Sequence, residues 1–275
     1  MGLVARSIRR HLRVAKKPGV QADDWLLERR PTSYWAATRR PFPSLLLVAP
    51  LVIAYECGVL WLGKSASGSV RTGADTWMRH GLSSLGLSDH WLLPLLLFLI
   101  LLTWQVLNFY DWRFSSGIMA GMVLESVLWA VVLLGISRLI DVGFCYLEQT
   151  DSPLLAVSPG GVEPSVSSLI GYLGAGVYEE TLFRLIMVPT LFGALKLLQI
   201  PQVLSSALAV TGSALLFALA HHAGSPGESF TWFAFVFRWM AGVFFAWVFV
   251  LRGFGIAVGS HTMYDILVGW IAWRL

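Results

Sequence analysis

Three short stretches of this chain carry residue types that could do chemistry. The first is Glu179-Glu180-Thr181-Leu182-Phe183-Arg184. On a helix, adjacent residues lie about 100° apart, so the two acids are expected to face different neighbours. Glu180 and Arg184 are spaced i, i+4 and can pair, which leaves Glu179 as the carboxylate available to act as a base. The second stretch runs from Phe217 to His221 and His222, with Phe217 and His221 on one face. The third is His261-Thr262-Met263-Tyr264-Asp265, where His261 and Asp265 again share a face and can point at one centre. A glutamate and two histidines without a cofactor motif suit water activation. The Glu takes a proton, and one His orients the water or passes the proton to the leaving group. The second His and its i+4 partner can stabilise an oxyanion. Peptide-bond hydrolysis is the reaction these parts suit.

Other uses of the same residues compete with this one. Glu179, His221, His261 and Asp265 are plausible ligands for a divalent metal in a membrane hydrolase. A transporter or a membrane partner protein could use the polar cluster to bind a proton or a ligand. No inverted repeat of the kind expected for a transporter is visible. A buried pair such as Glu180–Arg184 often serves only packing, and His222 suits an interface position at a helix end. His11, His80 and His90 read as loop or surface residues. An acid pair and two histidines on three separate helices are hard to explain by packing alone. Rival protease signatures are missing: there is no H-E-x-x-H, no G-x-S-G, and no G-x-G-D after Tyr110-Asp111. The glycines of Gly171–Val177 lack the preceding strand of a dinucleotide site and suit close helix packing instead.

The elements that must hold these residues are membrane helices. Of the 275 residues, 56% are hydrophobic and only 13% charged, against about 25% charged in soluble domains. The mean hydropathy is +0.67. This excludes a disordered chain and a nucleic-acid-binding module, and two cysteines exclude a disulfide scaffold. Apolar runs of spanning length fall near 42–63, 91–109, 115–139, 165–187, 203–222, 230–251 and 254–272, with Trp and Tyr near several ends. The stretch 186–199 holds Pro189 and Lys196 and is open to two readings, an interfacial segment or an eighth, short crossing. The fold expected is an all-α polytopic bundle of about eight (7–8) transmembrane helices. It divides into a basic segment at 1–41, N-terminal helices with two outward loops at 42–164, and a catalytic core at 165–275. Residues 1–40 carry ten bases and three acids, a net +7, and the rest of the chain sums to −3. The basic block is expected to stay in the cytoplasm. Within it, Val4, Ile8 and Leu12 could form a short helix on anionic lipid.

The three motifs together carry a resemblance. E-E-x-x-x-R at 179–184, F-x-x-x-H at 217–221 and H-x-x-x-D at 261–265, in this order on three apolar helices, resemble the CPBP family. This is the CAAX protease and bacteriocin-processing group, also called Abi, of intramembrane glutamic endopeptidases. The resemblance spans about residues 165–272. It implies that Glu179 is the base that activates water and that His221 holds that water. It further implies that His261 and residue 265 form the oxyanion site, with Glu180, Arg184 and Phe217 in support and with no cofactor. Asp265 stands where the prenyl proteases of the family carry Asn. It would then be protonated, or orient His261, or leave the oxyanion to His261. The implied partner is a membrane-anchored or membrane-delivered peptide, and the basic N-terminus without sorting signals fits a bacterial plasma membrane. For His221 to meet Glu179, the segment 186–199 is expected to cross back, which gives eight crossings and both termini in the cytoplasm.

Overall fold

The computed structural model describes residues 33–63, 71–113, 115–148, 165–223 and 229–274. The basic residues up to Arg30, the Val4, Ile8 and Leu12 trio, and the proline-bearing stretch 149–164 lie outside the described residues. The side chains of Trp270 and Trp273 do too. The chain divides into two compact units, residues 1–36 and residues 37–275, and the helices below belong to the second. Among the described residues every regular element is helical.

After a short helical turn at Tyr34–Thr38, the helices are in chain order α1 (Pro41–Leu62), α2 (Gly73–Ser84), α3 (Leu92–Leu107) and α4 (Ser116–Glu148). After them come α5 (166–197), α6 (Gln202–Ala220), α7 (Trp232–Arg252) and α8 (Phe254–Arg274). Among the described residues, four helices are long and apolar enough to cross a membrane: Pro41–Leu62, Ser116–Tyr146, Gln202–Ala220 and Trp232–Arg252. α3 is apolar but shorter. Leu95, Leu99, Leu124 and Leu128 point outward. Apolar residues turned away from the interior are what lipid, rather than water, requires, and the protein is an integral membrane protein. Of the about eight crossings expected, these four helices meet the length and composition requirement among the described residues.

Local chemistry sets the helix ends. Pro41 starts α1 at a position where no intrahelical N–H is needed. Ser165 caps α5 by accepting from the Ser168 N–H at 3.1 Å, and Thr231 caps α7 by accepting from the Ala234 N–H. Gly253 separates α7 from α8 with φ 97°. A Cβ there would also stand 2.8 Å from the Thr38 carbonyl, so only glycine fits this corner.

α5 departs most from expectation. The sequence suggested a span at 165–187 and a separate crossing at 186–199. The backbone is instead helical without a break from 166 to 197. It passes from α-helix (Val166–Gly174) through two π-helical stretches (Ala175–Glu179 and Thr181–Met187) to α-helix again (Val188–Leu197). Pro189 does not break it, because it falls in the first turn after the π stretch ends, where a missing N–H is tolerated. The turn comes at 198–201, where Gln199 has φ 60°. α6 then packs back along α5. From Glu179 to the turn, and from the turn to His221, is about 20 residues each way, or roughly 30 Å of helix. The hairpin alone therefore levels His221 with Glu179, and the extra crossing inferred for that purpose is not needed.

Two apolar cores hold the bundle. One joins α1, α3, α5 and α8 around Tyr55, Leu97, Val177 and Val258. The other joins α4, α7 and α8 around Leu133, Phe237 and Phe245. Close approach at small residues sets the α5–α8 contact: a Cβ on Gly176 would lie 2.0 Å from Thr262 Oγ1. This is the packing mode of helices in lipid.

Candidate active site

The π-helical stretch Ala175–Glu179 presents the first motif. A π turn bonds i to i+5, so it turns less per residue than an α-helix and often marks a functional site. Here it overturns one expectation. Glu179 and Glu180 do face the same neighbour, from opposite sides of one imidazole ring. Glu180 Oε1 lies 2.7 Å from His261 Nδ1, while Glu179 Oε2 lies 3.8 Å from His261 Nε2.

Glu180 is fully buried and is ion-paired to Arg184 Nη1 at 3.0 Å, at the i, i+4 spacing read from the sequence. Arg184 is buried as well. Its guanidinium lies over the Phe217 ring at 4.5 Å and the Phe245 ring at 5.5 Å, and Nη2 donates to the Gly242 carbonyl at 3.3 Å. The Phe245 ring also stacks on His261, with centroids 4.5 Å apart. His261 is thus fixed at one nitrogen by a carboxylate and on one face by an aromatic ring. Its Nε2 is left facing the site.

His221 caps α6. Its Nδ1 lies 2.9 Å from the Phe217 carbonyl. A carbonyl can only accept, so Nδ1 carries the proton, and the neutral form of this ring would turn an Nε2 lone pair outward. That Nε2 stands 3.8 Å from Glu179 Oε2. Phe217, expected only to share a face with His221, touches it with ring centroids 4.7 Å apart and carries Arg184 on its own ring. Glu179 Oε2 is buried and makes no hydrogen bond. It sits at equal distance from two imidazole nitrogens, too far for direct bonding, at a gap that one water can bridge.

Asp265 Oδ2 lies 3.7 Å from His261 Nε2. The orienting bond to His261 comes from Glu180, so of the roles left open for Asp265 the orienting one is already taken. All seven residues singled out in the sequence meet in this one region. His222 is apart from it, packed against Phe230 and Phe235. Among the described residues, no group of three or more His, Cys, Asp or Glu is placed to hold a metal ion.

Sequence reading missed two features. Arg238 of α7 stands near enough to Glu179 and Asp265 to act on both electrostatically. The second is another buried charged cluster. Glu56 of α1 is fully buried, with Arg79 Nη2 at 2.7 Å from Oε1 and His90 Nε2 at 3.2 Å from Oε2. Asp75 lies 2.5 Å from Arg71 and 2.6 Å from Arg79. His90 is therefore not an ordinary loop residue. Glu56 and Arg238 lie inside apolar runs, so the rule that ionisable groups at membrane depth deserve scrutiny would have found them.

No curated protein and no solved structure matches the chain. Residues 161–267 match the model of the family described as Rce1-like, type II CAAX prenyl endopeptidase. The stretch that holds every site residue, from Glu179 to Asp265, thus has the sequence of an Rce1-like domain, consistent with the CPBP/CAAX protease family.

Proposed function

We propose that the protein is an intramembrane endopeptidase that hydrolyses a peptide bond with a water activated by Glu179. One observation carries this reading: the buried, hydrogen-bond-free Oε2 of Glu179 lies 3.8 Å from Nε2 of both His221 and His261. A water between them donates one proton toward Glu179 and the other toward the Nε2 lone pair of His221. Glu179 takes its proton as the water oxygen attacks the peptide carbonyl carbon. His261, in its imidazolium form, donates from Nε2 to the oxyanion that develops. As the C–N bond breaks, Glu179 returns the proton to the leaving nitrogen. Glu180, held by Arg184, keeps His261 in place, and Asp265 is a counter-charge to the imidazolium. No step uses a cofactor or a metal.

The substrate fitted to such a site is a peptide anchored in, or delivered to, the membrane. The family match makes a prenylated C-terminal CAAX peptide the first probe to try. The test compares the peptides released from membranes that hold the wild-type protein or Glu179→Gln. Products that appear with wild type and vanish with Glu179→Gln, unchanged by a chelator, are the expected result. Equal products from both proteins would refute the role of Glu179. Loss of activity with chelator, restored by a divalent ion, would favour a metal hydrolase.

A further inference from the structure

Tyr178 and Glu179 are neighbours in the same π-helical stretch, yet they face different surroundings. Glu179 faces His221 and His261. The Tyr178 hydroxyl donates to Glu56 Oε1, and both residues are fully buried. Glu56 Oε1 is itself held by Arg79 at 2.7 Å. Arg79 continues to Asp75 at 2.6 Å and to the His90 carbonyl at 2.6 Å. Asp75 accepts from Arg71 at 2.5 Å and from the Tyr55 hydroxyl at 2.8 Å. The Tyr55 ring meets the Tyr178 ring edge-on, with centroids 5.3 Å apart. It also lies against Gly174, where a Cβ would stand 2.1 Å from the ring. The helix that carries Asp75 and Arg79 packs directly on the stretch Ala175–Glu179.

A π turn is rare and occurs mostly as a local bulge within an α-helix, so something outside the helix must select it. Tyr178 is tied to the side chains of α1 and α2 by a hydroxyl bond to a buried carboxylate. We infer that Tyr178 and Glu56 are positioning residues for Glu179: the Tyr178–Glu56 bond pins the π turn so that the next side chain stands between the two histidines. This rests on the proposed role of Glu179 as the base. The hydroxyl of Tyr178 touches no reacting atom and acts only by fixing the backbone one residue away. Precise placement matters in such a site, because displacement by about 1 Å can cost roughly 100-fold in rate.

The test uses the full-length protein in proteoliposomes and three variants. Tyr178→Phe removes only the hydroxyl and keeps the ring. Glu56→Gln keeps the shape and removes the charge. Glu125→Gln is the control, since it breaks another buried ion pair, Glu125–Arg252, away from α5. Cleavage of a fluorogenic prenylated CAAX peptide is measured beside the thermal midpoint. Tyr178→Phe is expected to lower kcat roughly 10- to 100-fold with KM within about twofold, and Glu56→Gln to act in the same direction. Glu125→Gln should lower the thermal midpoint at least as far with kcat unchanged. A second readout needs no turnover: site-resolved mass spectrometry of Glu179 labelling by an apolar carbodiimide. Freeing the turn should raise the labelling rate by about threefold or more in Tyr178→Phe, as local opening does, but not in Glu125→Gln. If Tyr178→Phe matches wild type in kcat and in labelling while Glu179→Gln is inactive, the positioning role is wrong and the catalytic reading stands. If Glu179→Gln cleaves normally, or wild type leaves the peptide intact, the labelling alone decides the positioning role. An equal fall of kcat in Tyr178→Phe and Glu125→Gln would show general destabilisation and overturn the inference.

Discussion

Two clusters of ionisable side chains lie inside this bundle, and adjacent residues of one π turn belong to different ones. Around Glu56 and Asp75, each carboxylate has a guanidinium within 2.7 Å. Around Glu179, the gaps to His221, His261 and Asp265's distance to His261 are all 3.7–3.8 Å. Only the Glu180–Arg184–His261 arm is tightly bonded. Both clusters bear the desolvation cost of charge in a medium of low polarity. The first meets that cost with direct contacts that hold α1, α2 and α5 together. The second leaves Glu179 Oε2 with no hydrogen bond and with its ion partners no nearer than 3.8 Å. Close pairing fits a structural cluster, and the gap at Glu179 fits the reactive role proposed for it.

The sharpest way to break this contrast is to change one acid in each cluster. Glu179→Gln should lower cleavage by roughly 10²- to 10⁴-fold, the range for a lost general base, with little change in thermal midpoint. A large loss of stability would place Glu179 in the structural class. Asp75→Ala should do the reverse. It removes one carboxylate partner from both Arg71 and Arg79, and destabilisation of about 3–5 kcal/mol is expected for a broken buried pair, read by thermal unfolding in detergent. Next in size is Gly176→Ala. The new methyl would collide with Thr262, including its backbone nitrogen at 2.9 Å. Overpacking of this kind costs about 1–3 kcal/mol. Because the collision spreads α5 from α8, activity should fall as well, and Thr262→Ala should not restore it fully.

A smaller effect is expected from Asp265→Asn. Its oxygen is beyond hydrogen-bond distance from His261, and Glu180 already orients that ring. Activity within about threefold of wild type is expected, because Asn keeps the shape of the side chain and no hydrogen bond to His261 is lost. A loss comparable to that of Glu179→Gln would move Asp265 into the catalytic set. The last prediction concerns topology and not rate. With 166–197 one unbroken helix instead of two segments, the eight crossings expected become seven helices, so reporters fused at the two ends of the chain should read on opposite sides of the membrane. Readings on the same side would mean that one of these helices lies along the surface.

Much of the site was legible because charge is rare in this chain. With 13% charged residues, each acid or histidine within an apolar run stands out. Spacing also predicted the Glu180–Arg184 pair and the shared face of Phe217 and His221, since both depend only on helix periodicity. Glu56 and Glu125 lie in apolar runs too, and they went unnoticed because they carry no motif. Their partners, Arg79 and Arg252, are 23 and 127 residues away, a distance that periodicity does not span.

The sequence by itself determined an all-helical membrane protein with three motif-bearing helices, because hydropathy and helical spacing are local properties. Tertiary structure alone decided which residues meet. The length of α5 could not be read locally: Pro189 looks like an end, and it is tolerated only because a π turn precedes it. That turn shifts Glu180 onto the same imidazole as Glu179, against the 100° rule for an α-helix. The level of His221 opposite Glu179 follows from two helix lengths and one turn taken together. The gap around Glu179 exists because Tyr178, Glu180 and Phe217 are each held by another helix, and such long-range restraint has no signature in any short stretch of residues.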